Sequence, residues 1–306
     1  MPFPVAPGVK IESGNFIPQI WSGKLQVKFY KATVLSDITN NDWEGDIASQ
    51  GDTVWIRSIP TITIRDYAKG QSLVHERPSS DPISLVIDKG KYFDFVVDDV
   101  DKVQSDIKLL NMFSDDASEQ MKITIDSQVL GSIIADPDPA NMGNAAGALS
   151  GNIALGVTGT PNAISKISIL DQIVDCGQVL DEQNVPETGR WMVIPPWMSA
   201  QIKKSDLKDV SLSGDPTTII RNGRLGMVDR FTLYVSNSLT SAPETQGKSW
   251  YMPFGTRDAV CFASQMTNVE TLRAETTFGD IVRGLNVYGW KTTKAQALGV
   301  LYGYKA

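Results

Sequence analysis

Polar and apolar residues alternate through Thr61, Ile62, Thr63 and Ile64, the two-residue period of a strand with one dry and one wet face. A second alternating run, Ile83, Leu85 and Ile87, follows after a polar stretch broken by Gly70, Pro78 and Pro82. Together they predict a long hairpin with a wide tip. The period then changes. Leu110, Phe113, Ala117, Met121, Ile125, Val129 and Ile133 recur at steps of three and four, predicting an amphipathic helix from Ser105 to Ala135. Ser105 and Asp106 offer an N-terminal cap, and Asp136-Pro137 stops the helix. At 1.5 Å per residue this rod is about 45 Å long.

The following stretch, NMGNAAGALSGNIALGVTGTP, has no sustained period and reads as a flexible loop or crossover. A compact α/β region comes next. It has a helix carrying Ile169, Ile173, Cys176 and Leu180, a turn over 184–189, and a strand from Trp191 to Ile194. Pro195-Pro196 opens a second helix, because proline suits the first helical turn. Asn222-Gly223 is a turn signal ahead of the alternating strand FTLYVS. From Ala259 onward, AVCFAS, VETLRAE, LNVYG and ALGVLYGY predict sheet. The first fifty residues are turn-rich, and WSGKLQVKFYKATVLSDITN fits a short amphipathic piece or an extended arm equally well.

Composition narrows the class. The 306 residues are 42% hydrophobic, enough for a sizeable core. The start, MPFPVAPGVK, has no apolar core of a signal peptide, and no uncharged apolar run of about 18 residues occurs, so a cytoplasmic setting is expected. Cys176 and Cys261 sit among apolar neighbours and read as small buried hydrophobes. Residues 88–138 hold 12 acids and 5 bases, which leaves 23 of each elsewhere and puts the whole net charge of −7 in one segment. A basic footprint for gripping nucleic acid is absent.

The search for reactive groups returns little. His75 is the one histidine and lies in the polar hairpin tip, so no histidine triad or two-histidine metal site can be built. The stretch from Gly284 to Lys291 resembles a phosphate-binding loop until Trp290 separates glycine from lysine. DDVDK and SDDASE lack the spacing and glycine of a calcium loop and read as solvated helix ends. No cofactor is expected and the chain is read as a non-enzyme, with a carboxylate- or metal-dependent hydrolase as the remote rival.

Three successive stretches carry a resemblance: LDEQNVPETGRWMVIPPWMSAQI, NGRLGMVDRFTLYVSNSL and FGDIVRGLNVYGWKTTKAQALGVL. They are similar, in order and spacing, to units of the major capsid proteins of tailed double-stranded DNA phages. The resemblance implies an α+β fold of the Hong Kong 97 type. Its expected parts are an N-terminal arm over 1–50, an extended loop over 51–97 and a peripheral domain with its spine helix over 98–140. An axial domain over 141–267 follows, and C-terminal strands over 268–306 return to the peripheral domain. The implied function is self-assembly into the hexamers and pentamers of an icosahedral shell around the phage genome. A scaffolding protein, a portal and a decoration protein are the implied partners, and the virion, assembled in the host cytoplasm, is the implied location. An encapsulin-type compartment shell of the same fold is the alternative. The resemblance also assigns residues. Ile62, Ile64, Tyr67, Lys69, His75 and Arg77 of the loop are expected to contact the neighbouring subunit, and Asp115, Asp116 and Glu119 to face the shell interior. Lys69 and Asn286 have the residue types with which some family members join subunits covalently.

Overall fold

The computed structural model describes residues 30–42, 53–57, 59–60, 62–79, 82–99, 109–205, 226–274 and 277–306. Three sheets organise them. The first is a two-stranded hairpin, β1 (Thr53–Ile56) antiparallel to β2 (Ile83–Val86). The second has three antiparallel strands in the order β10-β11-β3, formed by β3 (Lys89–Asp98), β10 (Val260–Arg273) and β11 (Gly279–Thr292). The third has seven strands, in the order β4-β12-β9-β5-β7-β6 with β8 beside β9. Its members are β4 (Asn162–Ile164), β5 (Arg190–Ile194), β6 (Met227–Val228), β7 (Phe231–Val235), β8 (Ser241–Glu244), β9 (Gly247–Thr256) and β12 (Leu298–Lys305). Four helices accompany the sheets: α1 (Leu35–Ile38), α2 (Leu109–Ser132), α3 (Ile169–Glu182) and α4 (Pro196–Lys204).

The larger sheet explains the apolar run at 190–194. Every residue of β5 is buried, because β7 and β9 flank it and its faces are covered. One cover is α3, whose Ile169, Ile173, Cys176, Val179 and Leu180 recur at helical spacing and are all buried. Pro196 takes the first turn of α4. Asn184 and Gly189, at φ 57 and 73, make the turn between α3 and β5.

Strand β9 escaped the sequence reading, since Pro253 lies in its middle and proline argues against a central strand. The register shows why it is tolerated. Tyr251 N–H donates to Thr240 O, so the nitrogen two residues on faces the same edge of β9. On that edge pairing with β8 ends at Trp250 and pairing with β5 begins at Phe254. Pro253 occupies the gap, where no donor is required.

Four expectations change. The alternation at 61–64 does not mark a paired strand: β1 lies at 53–56, and the described residues of 62–79 belong to no strand. The long helix is described from Leu109, with Ser105 and Asp106 outside the described residues. It ends at Ser132 and tightens into a 3-10 turn over Ile133–Ala135 before Asp136. The glycine-rich stretch is ordered rather than flexible. Gly143, Gly147, Gly151, Gly156 and Gly159 all take positive φ, and Ala146, Ile153 and Leu155 are buried between them. The C-terminal strands do not share one sheet, since β10 and β11 pair with β3 whereas β12 runs between β4 and β9. The turn expected at Asn222-Gly223 lies outside the described residues.

Helix α2 joins the two larger sheets. Its C-terminal half buries Ile125, Val129 and Leu130 in the main core, the turn after it adds Ile133, and Tyr288 on β11 donates to Gln128 at 3.0 Å. Its N-terminal half is more open. Phe113 is half-exposed and meets Phe95 of β3 edge-on at 5.9 Å.

Candidate assembly surface

The hairpin stands on a small core of its own. Ile56, Leu85 and Ile87 pack with Cys261 and Ala263 of β10, and Gly289 of β11 lets the backbone of Val86 and Ile87 approach closely. Four residue pairs make its neck. Beyond the neck the strand pairing stops. Thr63 N–H donates to Glu76 Oε2 at 3.2 Å, and the turn closes where Gln71 N–H donates to Ala68 O, with Gly70 at φ 87. No backbone hydrogen bond joins the limbs among the described residues.

Every described residue from 62 to 79 is exposed. The apolar ones stand out, with Ile64 at 91%, Tyr67 at 70%, and Leu73, Val74 and Ile62 above 60%, and Ile59 just before them is 96% exposed. So large a run of apolar surface without cover is the kind of patch that interaction sites present, and limbs without a backbone ladder between them leave edges of the kind that pair with other chains. Lys69, His75 and Arg77 share this exposed tip.

A second uncovered surface lies on the smaller sheet. Phe93, Phe95 and Val97 of β3 turn inward, and the Phe93 ring lies where a side chain at Gly284 would stand. This places the 284–291 stretch inside strand β11 and ends its likeness to a phosphate loop. The opposite face carries Tyr92 across from Leu285 and Val96 across from Ile281, with Leu272 next along. Tyr92 is 80% exposed. Between these rows Arg283 bonds Glu270.

The acidic candidates divide. Asp115 is exposed, Asp116 accepts the Tyr30 hydroxyl at 2.9 Å, and Glu119 pairs with Lys122 at 2.7 Å. Two of the three are therefore engaged within the chain. Asn286 accepts from Ser264 at 3.3 Å and lines a small cavity with Phe93, Met121 and Ile125, far along the chain from the turn that bears Lys69.

Two networks hold the larger sheet and were not read from sequence. Arg190 is 1% exposed, and its guanidinium donates to Pro186 O at 2.9 Å, Val185 O at 2.7 Å, Gly177 O at 3.3 Å and Asp181 Oδ1 at 2.7 Å. It thereby satisfies carbonyls at the end of α3. Asp181 also takes Arg230, from the turn between β6 and β7 in which Asp229 and Arg230 both have positive φ. Neighbouring Arg230 and Arg190 hold the Asp181 carboxyl below its ordinary value against the cost of burial. A charged residue opening an apolar strand was the available signal.

Glu182 fixes the glycine-rich loop. Its Oε2 accepts Leu149 N–H at 2.8 Å and Ser150 N–H at 3.0 Å, and these bonds, with that from Gln178, bring its carboxyl down to about 2. A depressed carboxylate stabilises the loop fully above its ordinary value of 4.5 and loses that contribution as pH falls through about 2. Protection of the Leu149 and Ser150 amides, taken relative to free-peptide exchange at each pH, is expected to hold down to about pH 4 and to fall toward pH 2. Glu182→Gln should abolish this pH dependence, which NMR on the amides would show.

No group of three or more His, Cys, Asp or Glu among the described residues is placed to hold a metal. No helix among them is long and apolar enough to cross a membrane. A cleft of about 820 Å³ opens between the α3–β5 turn and the turns at 256–258 and 293–297, where Lys294 and Asp258 stand 3.7 Å apart. The loop that bears His75 does not line it.

The sequence profile of phage capsid proteins matches residues 82–302. The chain belongs to the phage capsid protein family. Solved structures agree with the assignment. A protein of Mycobacterium phage Che8 is 27% identical, with 94% of this chain and 97% of that one covered at a TM-score of 0.77. The capsid of Cyanophage P-SCSP1u shares 14% identity over 99% and 97% of the two chains, with a TM-score of 0.73. The mature capsid of bacteriophage PhiM1 shares 16% over 93% and 91%, with a TM-score of 0.66. Comparison with curated protein sequences finds none that matches. The capsid protein thus has the Hong Kong 97-type fold expected from its sequence, and its role is structural: copies of it form the shell of a virion.

Proposed function

We propose that the capsid protein builds an icosahedral lattice of hexamers and pentamers in which the extended loop of each subunit lies across its neighbour. The observation that carries this reading is the loop itself, with six large apolar side chains in the open and limbs without a backbone ladder. Ile62, Ile64, Tyr67, Lys69, His75 and Arg77 are the contact residues. The outer face of the smaller sheet, with Tyr92, Val96 and Leu285 uncovered, is a seat of matching chemistry. The family likeness supports an enclosed double-stranded DNA genome, assembly in the host cytoplasm, and help from scaffolding, portal and decoration proteins. The peripheral part then comprises the β10-β11-β3 sheet with α2, and the axial part comprises the larger sheet, β12 included.

The test is to express the full chain with and without its genomic neighbours and to examine it by sedimentation and electron microscopy. Closed shells containing DNA during infection are the expected result. A chain that stays monomeric under every condition overturns the reading, and shells filled with protein cargo would assign it to a compartment instead.

A further inference from the structure

Helix α1 is four residues long and follows Val34, whose side chain cannot cap it. A helix this short does not sustain itself in water, because propagation never offsets nucleation. Its cap comes from another helix. Asp126 Oδ1, on α2, accepts Val34 N–H at 2.9 Å and Leu35 N–H at 3.0 Å, across 92 and 91 positions of sequence. This carboxylate is 1% exposed.

The rest of the segment is tied the same way, to groups remote in sequence. Ala32 O accepts from Ser236 beyond β7, and Thr39 O accepts from Arg257. Asn40 exchanges backbone bonds with the start of β10, donating to Val260 O and accepting from Phe262 N–H. Val34, Leu35 and Ile38 are buried beneath these ties. Apart from the short-range bonds of its own turn, what holds residues 30–42 therefore lies on α2, the end of β7 and the corner between β9 and β10. The converse does not hold, since those elements are joined to each other through Tyr288 with Gln128, Thr292 with Asp136, and the shared core.

We infer that residues 30–42 form a strap that acquires its structure only on docking, and that Asp126 is the positioning residue that commits it by capping α1 from outside. Burial pushes the Asp126 carboxyl above its ordinary value while the two N–H groups pull it down, so the cap also keeps that buried charge tolerable. The inference stands apart from the shell reading, because it concerns a single subunit.

Hydrogen exchange read by mass spectrometry tests it on the full chain, as free subunits and, where shells form, as particles. In Asp126→Ala, peptides covering 32–42 are expected to exchange about tenfold or more faster, as loss of two charge-assisted bonds implies. Peptides covering 127–135 and 298–305 are expected to be unchanged. Asp126→Asn, which keeps a neutral oxygen in place, should fall between. Unchanged exchange in the strap overturns the inference, and so does acceleration that spreads to α2 and β12. Failure of both variants to fold also overturns it, because strap and core would then be one cooperative unit. If the native chain forms no shells, the lattice reading fails while the subunit measurement still decides this one.

Discussion

Arg190→Met is expected to cost the capsid protein about 3–5 kcal/mol and to lower its melting temperature by about 5–15 °C. The side chain that replaces it has similar length, so the cost is chiefly polar. The buried carbonyl of Val185 and the part-buried one of Pro186 lose their donor, that of Gly177 within α3 loses an added bond, and Asp181 loses one of its two arginine partners. Each orphaned acceptor costs roughly 1–3 kcal/mol. Arg190→Lys should recover only part of the loss, since one ammonium cannot reach acceptors spread around a planar fork. Asp181→Asn should cost less than either, because its carboxylate is 40% exposed and screened by water. Urea titration of the soluble subunit measures all three. A loss under about 1 kcal/mol for Arg190→Met would mean that the guanidinium is a passenger in this site.

Ile62→Asp with Ile64→Asp is expected to leave the subunit folded and to stop shell formation. The two side chains touch none of the core, being 61% and 91% exposed, so the melting temperature of the free subunit should barely move. In the proposed lattice each subunit lends one loop and receives one. Burying an isoleucine contributes about 1.5–3 kcal/mol, so about 3–6 kcal/mol disappears from every loop contact. The added carboxylates must also shed water to reach an apolar seat, which deepens the loss. Sedimentation should find small species at concentrations where the native chain forms particles. Normal shells from the double variant would place the loop away from its neighbour and remove the main support for the proposed lattice.

What the sequence disclosed follows from how locally each feature is specified. Helix α3 and strand β5 were legible because their apolar spacing reports burial directly and the Asn184 to Gly189 turn separates them. Helix α2 was legible as a helix, but its pattern could not tell that Phe113 lies half open while Val129 is sealed. The alternation at Thr61 to Ile64 misled because it describes a side-chain habit, whereas a strand also needs a partner edge, and none lies within the described chain. Strand β9 was hidden by Pro253, whose position is harmless only given the offset between β8 and β5. Among the site residues the exposed loop was readable from composition. The roles of Arg190, Glu182 and Asp126 were not, since each bonds backbone groups that only the fold brings near.

The neck of the loop is four residue pairs long and anchored by three apolar side chains, and beyond it the Thr63–Glu76 bonds, without a backbone ladder, join the limbs among the described residues. If rings of six and five form as proposed, the lightly braced loop is the part of the subunit on which the difference in inclination between them would fall.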